Sequence, residues 1–508
     1  MYITALRQRI HPRLAAQGAT CAGIVLGWTS PILPYLQISS IERGEAPITS
    51  EESSWIASLL PLGALVGALV GGYCADVFGR KWTILGSAIP YFVGLALCAV
   101  STSVPCIYAG RFIAGISLGI TTTINPIYVD EIAEDSVRGA LGIYLELMSN
   151  TGVLWSFVVG SFAPFLWFSI SSAVIPVIFF GAFIWMPESP TYLIATGHEL
   201  QAIDSLKWLR AVKGNENKFI ENEIHVLKSR MFRQTIKTSY IHESRTFSSI
   251  IVDLIANLSF KSPTFKACFI ILGLMTIQQI CGIDAIMFNI IDIFEYAGTG
   301  LSSRWSCVIV GIIQLIGTAI AFLIVDRVGR RILLLISLSL MTLCYTLLSL
   351  NFGLANYNRE VTFLSFVPLF SVSLYFISFS VGLGPIPWFM IAELSPSEHK
   401  ETIISATVSY SWLLIFFVTK YFASMIFMFG SMITYGSLSV VCVLGVTFVA
   451  IFVPETKGRS REQTESQLAE THKTEVFFST TYTCAVDRVY DAARSLERSL
   501  QRNWSSTD

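Results

Sequence analysis

The chain has 508 residues, of which 53% are hydrophobic and only 14% are charged. Soluble globular proteins carry roughly 25% charged residues, so this composition excludes an ordinary soluble enzyme or binding domain. A net charge of −1 gives no sign of a nucleic-acid partner, and none is expected.

The apolar residues fall into twelve stretches that can each cross a bilayer, for which roughly 20 residues are needed. These spans lie at about 14–36, 55–75, 82–100, 106–127, 141–162, 165–186, 265–290, 305–325, 332–350, 363–391, 402–422 and 433–453. We therefore predict an all-α membrane protein of twelve transmembrane helices in two six-helix halves, with the lipid bilayer as its surroundings.

Lysine and arginine collect at the N-terminus, in the loops after the even-numbered spans and in the C-terminal tail. Positive residues stay on the cytoplasmic side, so we expect a plasma-membrane protein with both termini in the cytoplasm. The first span is long enough to remain as a signal anchor rather than a cleaved signal.

Three charged motifs occur in the same order in both halves. In each half, the first motif is a glycine-arginine turn, the second is an acid seven residues before a base, and the third is a Pro-Glu pair after the sixth span. The residues are Asp76, Arg80, Glu131, Arg138 and Glu188 in the first half, and Asp326, Arg330, Arg331, Glu393, Lys400 and Glu455 in the second. We interpret them as a cytoplasmic latch between the halves. The alternative is that the bases only hold the span ends in the membrane.

The domain boundaries follow from this repeat. The halves are expected at 1–186 and 265–458, joined by a cytoplasmic loop at 187–264. In this loop, Ala202–Val212 and Asn217–Met231 have the apolar spacing of short amphipathic helices. The tail at 459–508 is polar and predicted to be largely disordered.

Span 10 contains backbone breakers in an otherwise apolar run, namely Gly384, Pro385 and Pro387. Each proline removes a helical N–H, and within lipid a freed carbonyl is tolerated only where protein or a water-filled cavity satisfies it. We therefore predict a broken helix that faces the interior, with Trp388 lining a central cavity.

The ten cysteines and six histidines show no disulfide framework, metal spacing or catalytic set. No cofactor, no metal and no enzymatic activity are expected.

With these motifs, the chain resembles the sugar porters of the major facilitator superfamily, from span 1 to Gly458. The matching segments are Gly72–Lys81, Gly110–Phe112, Tyr128–Gly142, Pro187–Pro190, Gln278–Ile283, Asp326–Arg331, Gly384–Trp388 and Pro454–Gly458. Leu26–Leu33 is most similar to the insect facilitated trehalose transporters and their relatives.

The resemblance implies alternating access for a hexose or disaccharide. It places Gln278, Gln279 and Gln314 against sugar hydroxyls, and Trp388 and Trp412 in the cavity wall. Neutral amides can both donate and accept, which suits a molecule rich in hydroxyls. Arg111 in span 4 is instead expected to brace cytoplasmic helix ends.

Two residues depart from the family pattern, in which neutral amides are usual. Glu146 lies in span 5 and Asp284 in span 7. Ionisable residues at membrane depth are functional hypotheses, and burial without a cationic partner favours the protonated form. Either residue could bind a sugar hydroxyl, couple transport to protons or indicate a cationic substrate.

We predict a monomeric facilitative sugar transporter. Against proton coupling, no acid occurs from Leu14 to Leu36, where proton-coupled sugar porters carry an aspartate. The alternatives are a proton-coupled sugar symporter that uses Glu146 or Asp284, and a sugar sensor that binds with little or no transport.

Overall fold

The structure is a computed structural model that describes residues 17–42, 47–101, 103–133, 138–210, 220–225, 227–229, 263–297, 302–357, 366–395 and 400–457. The predicted tail at 459–508 and most of the loop at 211–262 lie outside these residues. In the described part, regular secondary structure is helical throughout.

The helices of the first half and the loop are α1 Gln17–Gly27, α2 Thr29–Glu42, α3 Ser50–Phe78, α4 Arg80–Val100, α5 Val104–Ile132, α6 Arg138–Phe162, α7 Phe165–Phe183, α8 Pro190–Ala195 and α9 Glu199–Arg210. Those of the second half are α10 Pro263–Ile280, α11 Ile283–Phe288, α12 Ile290–Ala297, α13 Ser303–Val328, α14 Arg330–Tyr357, α15 Val367–Val381, α16 Pro385–Leu394 and α17 Lys400–Phe452.

The twelve-span prediction is confirmed. Ten helical stretches are long and apolar enough to cross a membrane, and they cover spans 1–4, 6–10 and the joined spans 11 and 12. Helix α6 is span 5. Spans 11 and 12 are two helices that meet at a kink at Gly430 within α17. Gly430 has φ 77°, a left-handed conformation that glycine adopts without steric cost.

Small residues let the spans of the first half approach one another closely. A Cβ at Gly63 of span 2 would lie 2.1 Å from the Phe112 oxygen, and one at Gly115 of span 4 would lie 2.2 Å from the Leu60 oxygen. Glycines that allow backbone contact are typical of helix packing in lipid, where apolar burial gives little driving force.

Four spans present apolar stripes on the outside of the bundle. Their exposed residues recur at helical spacing on spans 3, 6, 9 and 12, for example Ile89 and Val93, Val174 and Ile178, Ile336 and Leu340, and Val440 and Leu444. Lipid contact accounts for apolar faces of this size. Spans 2 and 8 also expose apolar residues, such as Leu69 and Ile316.

Within the described part of the central loop, helical residues lie in α8, in α9 and at 220–225 and 227–229. Leu206, Ile220 and Ile224 form a small apolar cluster between these segments. The described residues from 17 to 229 and from 270 to 457 belong to one compact unit, and the start of α10 at 263–269 is assigned to a second. The proposed boundaries between halves, loop and tail stay predictions.

Candidate functional site

Span 10 is interrupted at residues 382–384, between α15 and α16. Pro385 and Pro387 fall in the first turn of α16, where backbone N–H groups have no helical acceptor in any case. Gly382 lies against span 9, and a Cβ there would be 2.4 Å from the Cβ of Ser337. The sequence thus places its helix breakers where they cost least.

Gln278 of span 7 satisfies the carbonyls that this break sets free. Its Nε2 donates to the Leu383 oxygen at 2.9 Å and to the Gly384 oxygen at 2.8 Å. Gln278 is buried, with 2% of its surface exposed. In this structure its amide hydrogens therefore bind protein backbone, whereas the family resemblance assigns Gln278 to sugar contact.

Span 7 is also interrupted, at Gly282, which has φ 81°. The hydroxyl of Tyr375 donates to the freed carbonyl of Cys281 at 3.3 Å, and the hydroxyl of Tyr345 donates to the same oxygen. The two tyrosine rings pack 4.8 Å apart. Both broken spans are therefore held by side chains from neighbouring helices, which keeps their irregular backbone satisfied at membrane depth.

A polar seam joins span 5 of the first half to span 8 of the second. Gln314 Nε2 donates to Asn150 Oδ1 at 3.0 Å, and Asn150 Nδ2 donates to Thr318 Oγ1 at 2.8 Å. Asn150 Nδ2 also lies 3.5 Å from the Glu146 carboxyl. This contact between halves contains two of the residues that the sequence nominated, together with Asn150, which it did not.

Glu146 and Asp284 come from different halves, and their carboxyl groups are near enough to interact electrostatically. Both residues are half-buried. Two carboxylates in such a place repel each other, so ionising both is unfavourable. The structure thus brings the two departures from the family pattern into one region.

The two tryptophans have different surroundings. Trp412 of span 11 is buried, and its Nε1 donates to Thr122 Oγ1 of span 4 at 3.3 Å, a contact between the halves. Trp388 is half-buried in the first turn of α16. Gln279, next to Gln278, donates through Nε2 to Ser411 Oγ of span 11 at 2.8 Å.

Arg111 is buried in the first half, with 2% exposed. It donates to the Ile56 oxygen at 3.2 Å, the Val25 oxygen at 2.8 Å and Thr29 Oγ1 at 2.7 Å. Its guanidinium carbon also lies 5.1 Å from the centre of the Trp28 ring. Arg111 does brace helices, but the expected location is wrong. Its partner Ile56 lies near the start of α3, whereas the motif residue Arg80 follows the opposite end of that helix.

The end of the bundle that carries Gly79 and Gly329 is called the motif end below. After span 2, the chain turns at Gly79 with φ 91°, and the Glu188 carboxylate accepts from the Lys81 N–H at 3.0 Å. Burial raises the pKa of the Glu188 carboxyl. Hydrogen bonds from the backbone N–H groups of Lys81, Ser189 and Arg80, and the charge of Arg80, offset this rise only in part. Arg80 pairs with Glu131 at 3.3 Å and with Asp76 at 3.5 Å.

The second half repeats this arrangement. The Glu455 carboxylate accepts from the backbone N–H groups of Arg330 at 2.9 Å and Arg331 at 3.1 Å, and Arg330 pairs with Glu393 at 3.4 Å. In both halves a carboxylate therefore caps a helix start, where the helix dipole favours negative charge. Each of these ion pairs joins residues of the same half. The side chains of Arg138, Asp326 and Lys400 lie outside the described residues. The latch between the halves therefore stays a prediction.

The two halves also contact each other at both ends. At the motif end, Gly142 of span 5 lies against Phe389 of span 10, whose ring would be 2.6 Å from a Cβ at Gly142. At the opposite end, Lys420 of span 11 donates to Ser54 Oγ at 2.8 Å and lies 4.0 Å from the centre of the Trp55 ring. This arrangement is closed at these points on both sides of the polar seam.

Sequence reasoning missed Asn150, Tyr345, Tyr375 and Lys420. Asn150 had a usable signal, since it lies one helical turn after Glu146 in an apolar span. The tyrosines gave none, because an aromatic residue in a membrane span is ordinary. Lys420 gave no signal beyond being a basic residue near the end of a span.

The chain is similar to known proteins over most of its length. The sequence model of the family described as "Sugar (and other) transporter" matches residues 15–468. The facilitated trehalose transporter Tret1 of Bombyx mori is 35% identical over 454 residues, which are 89% of this chain and 85% of that protein. The protein of the same name from Apis mellifera ligustica is 34% identical over 464 residues, 90% of this chain and 88% of that protein.

Among solved structures, the inward-open conformation of the xylose transporter XylE from E. coli is similar, with a TM-score of 0.70 and 22% identity. The alignment covers 90% of this chain and 98% of that one. At this identity the likeness supports the fold of a major facilitator protein and nothing finer.

Proposed function

We infer that this chain, which belongs to the sugar transporter family, is a facilitative sugar transporter and not an enzyme. The sugar that we propose is trehalose or a hexose. Trehalose is supported by the names of the relatives, which are facilitated trehalose transporters.

The observation that carries the mechanism is the polar seam between the halves. Asn150, Gln314 and Thr318 join spans 5 and 8 by hydrogen bonds of 2.8 and 3.0 Å, and Trp412 joins span 11 to span 4. Polar groups at the interface of two helical repeats, near the middle of the spans, are what a carrier needs to bind substrate while the halves rock. We propose that sugar hydroxyls bind in this region and that Trp388 packs on the sugar ring.

The proposal of uniport rests on Arg111. The partners described for this buried guanidinium are two backbone oxygens, the Thr29 hydroxyl and the Trp28 ring, all of them neutral. Proton coupling requires a group that takes up and releases a proton during the cycle. Arginine keeps its proton, and the Thr29 hydroxyl does not ionise at physiological pH, so this cluster offers no proton carrier.

For the setting of the protein, we propose a plasma-membrane carrier with both termini in the cytoplasm that works as a monomer without nucleic-acid partners. The support for the orientation is the distribution of lysine and arginine among the loops.

The proposal is tested with purified protein in liposomes and a panel of labelled sugars that includes trehalose and glucose. Facilitated diffusion predicts saturable uptake that stops when the inside and outside concentrations are equal, with or without a pH gradient. Accumulation above the outside concentration under a proton gradient would establish the symporter instead, and binding without flux would establish the sensor.

A further inference from the structure

Asn150 sits at the centre of the polar seam and is 4% exposed. Asn150 links the two halves within the seam. Its amide contacts Glu146 on its own helix, and Gln314 and Thr318 on span 8 of the other half. Each of these contacts has a direction, since a hydrogen bond needs one donor and one acceptor.

The direction of each bond in the seam follows from Thr318. Its hydroxyl hydrogen is donated to the backbone oxygen of Gln314 at 3.0 Å, so Thr318 Oγ1 can only accept from Asn150. Asn150 must then present Nδ2 to Thr318 and Oδ1 to Gln314. Gln314 in turn must present Nε2 to Asn150, which turns its Oε1 away from the seam.

A second chain of bonds fixes the amides of span 7 in the same way. Gln278 must present Nε2 to the carbonyls of Leu383 and Gly384, because its oxygen would be repelled there. Its Oε1 then faces Gln279 Nε2 at 3.4 Å, and Gln279 Nε2 also donates to Ser411. The Oε1 of Gln279 is again turned away.

These two series of hydrogen bonds leave two buried acceptor atoms without a donor. Neither Gln279 Oε1 nor Gln314 Oε1 has a hydrogen-bond partner among the described residues, although both side chains are 5% exposed. Buried acceptors without a donor are unfavourable and need an explanation, such as a ligand that supplies the hydrogen. Both amide hydrogens of Gln278 and of Gln279 are meanwhile donated to protein groups, as is one of the two amide hydrogens of Gln314.

We propose that Asn150 is a positioning residue that fixes Gln314 with its oxygen toward the substrate, so that the site accepts hydrogen bonds from substrate hydroxyls and donates few. This assignment rests on the proposed sugar transport and narrows the class of substrate. The substrate is a polyol whose free hydroxyls act as donors, and its ring and ether oxygens contribute little to recognition. The family resemblance suggested instead that the amides both donate and accept.

The test compares monodeoxy and monodeoxyfluoro analogues of the transported sugar as inhibitors of its uptake. A C–F group cannot donate, whereas it still accepts weakly. At the hydroxyl positions bound by Gln279 and Gln314, both analogues should bind about 10-fold more weakly than the parent, which is the range for a lost hydrogen bond. Fluoro analogues that bind as well as the parent, while deoxy analogues do not, would overturn the proposal.

Variants then separate positioning from a structural role. Asn150→Leu releases Gln314, which can turn its Nε2 to the ligand, so fluoro analogues should gain over deoxy analogues by about 3-fold or more. Asn150→Asp still accepts from Gln314 Nε2 and should keep the wild-type pattern. Weaker binding of all analogues by one factor in Asn150→Leu would show that Asn150 is only structural.

Two further variants complete the design. Thr318→Val removes the group that orients Asn150 and should shift the analogue pattern as Asn150→Leu does, which covers the case that Asn150→Leu does not fold. Asn351→Leu is the control, since Asn351 is a buried amide of span 9, 7% exposed, that lies outside the seam; it should leave the pattern unchanged.

The outcome also distinguishes this proposal from the broader one. Absence of wild-type uptake for every sugar would overturn sugar transport itself. Binding of the same analogues, followed by tryptophan fluorescence, would still report the donor or acceptor character of the site. Fluoro tolerance in a protein that does transport sugar would overturn only the role assigned to Asn150 and Gln314.

Discussion

At the scale of single residues, the chain differs from its family most at Glu146 and Asp284. These carboxyl groups come from opposite halves and are near enough to interact electrostatically, and the Asn150 amide lies 3.5 Å from Glu146. No basic side chain is described as bonded to either of them. Proximity of two acids favours a state in which one of them keeps its proton, because that state avoids repulsion between two charges.

We predict that at least one of these carboxyls is neutral at physiological pH and bonds a substrate hydroxyl without coupling protons to flux. Glu146→Gln and Asp284→Asn should then retain substantial transport, within about 10-fold of the wild-type rate, and flatten its dependence on pH. Initial uptake rates in liposomes across a pH series measure this. A variant that exchanged sugar but had lost accumulation driven by a pH gradient would identify a symporter.

At the scale of elements, the broken helices of spans 7 and 10 depend on side chains from neighbouring spans. The Gln278 amide satisfies the break in span 10, and Tyr345 and Tyr375 satisfy the break in span 7. Because Gln278 lies on span 7 and its acceptors on span 10, it also ties the two breaks together. A movement of one broken helix is therefore transmitted to the other.

Replacing Gln278 tests this tie. Gln278→Met has a similar volume but leaves two buried carbonyls unpaired, which costs about 1–3 kcal/mol for each group. We expect a lower melting temperature in detergent together with reduced transport. Thr276→Val, on the same helix, removes a hydroxyl that is not bonded to the break. A Gln278→Met protein as stable and active as Thr276→Val would contradict the assigned role.

The cap formed by Glu188 gives an expected pH dependence of stability. Burial raises the pKa of this carboxyl in the folded protein, so the folded state binds its proton more tightly than the unfolded state does. The corresponding stabilisation is complete below the ordinary glutamate pKa and is lost as pH rises through the raised value. Glu188→Gln should therefore reduce the decline of melting temperature as pH rises from about 4, near the ordinary glutamate pKa, through the raised value.

A control for this prediction is Ser205→Ala, since Ser205 donates to the Glu188 backbone oxygen and leaves the carboxyl in place. This variant should keep the wild-type pH slope. Equal slopes for the wild type and Glu188→Gln would show that the Glu188 carboxyl makes no contribution.

At the scale of the whole molecule, the halves contact each other at both ends of the polar seam. Alternating access requires the contacts at one end to break while those at the other remain. At the motif end, the contact described between the halves is the packing of Phe389 on Gly142, and at the other end the half-buried cation–π contact of Lys420 with Trp55 contributes about 0.5–2 kcal/mol. Such values permit opening at either end without a large barrier.

We therefore predict that each end can be released separately. Glu393→Gln, which neutralises an acid of the predicted latch, should favour opening at the motif end, and Lys420→Met should favour opening at the end where Lys420 lies on Trp55. A cysteine probe introduced by Ser405→Cys, beside Gly72, should react about 2- to 5-fold faster with thiol reagents in the Glu393→Gln background.

In the Lys420→Met background the same probe should react more slowly, because opening at the other end keeps the motif end closed. The parent protein without Ser405→Cys gives the background from native cysteines. Equal reactivity of the probe in all backgrounds would show that these contacts do not control the conformation.

The sequence by itself determined the fold and much of the organisation. Apolar runs of membrane length and a charged motif repeated after matching spans require two six-helix halves, since lipid permits only helices with satisfied backbones in such a chain. The break in span 10 was also predictable from Gly384, Pro385 and Pro387, because glycine and proline act through their own backbone. The small residues between spans 2 and 4 act locally in the same way.

Only the tertiary structure decided how the polar side chains are paired. Gln278 was expected to contact sugar, but its donors are bound to Leu383 and Gly384, which are more than a hundred residues away in sequence. Asn150 was not considered, because its importance depends on Gln314 and Thr318 of the other half. Local composition determines which groups are polar, whereas the direction of each hydrogen bond depends on partners that only packing brings within reach.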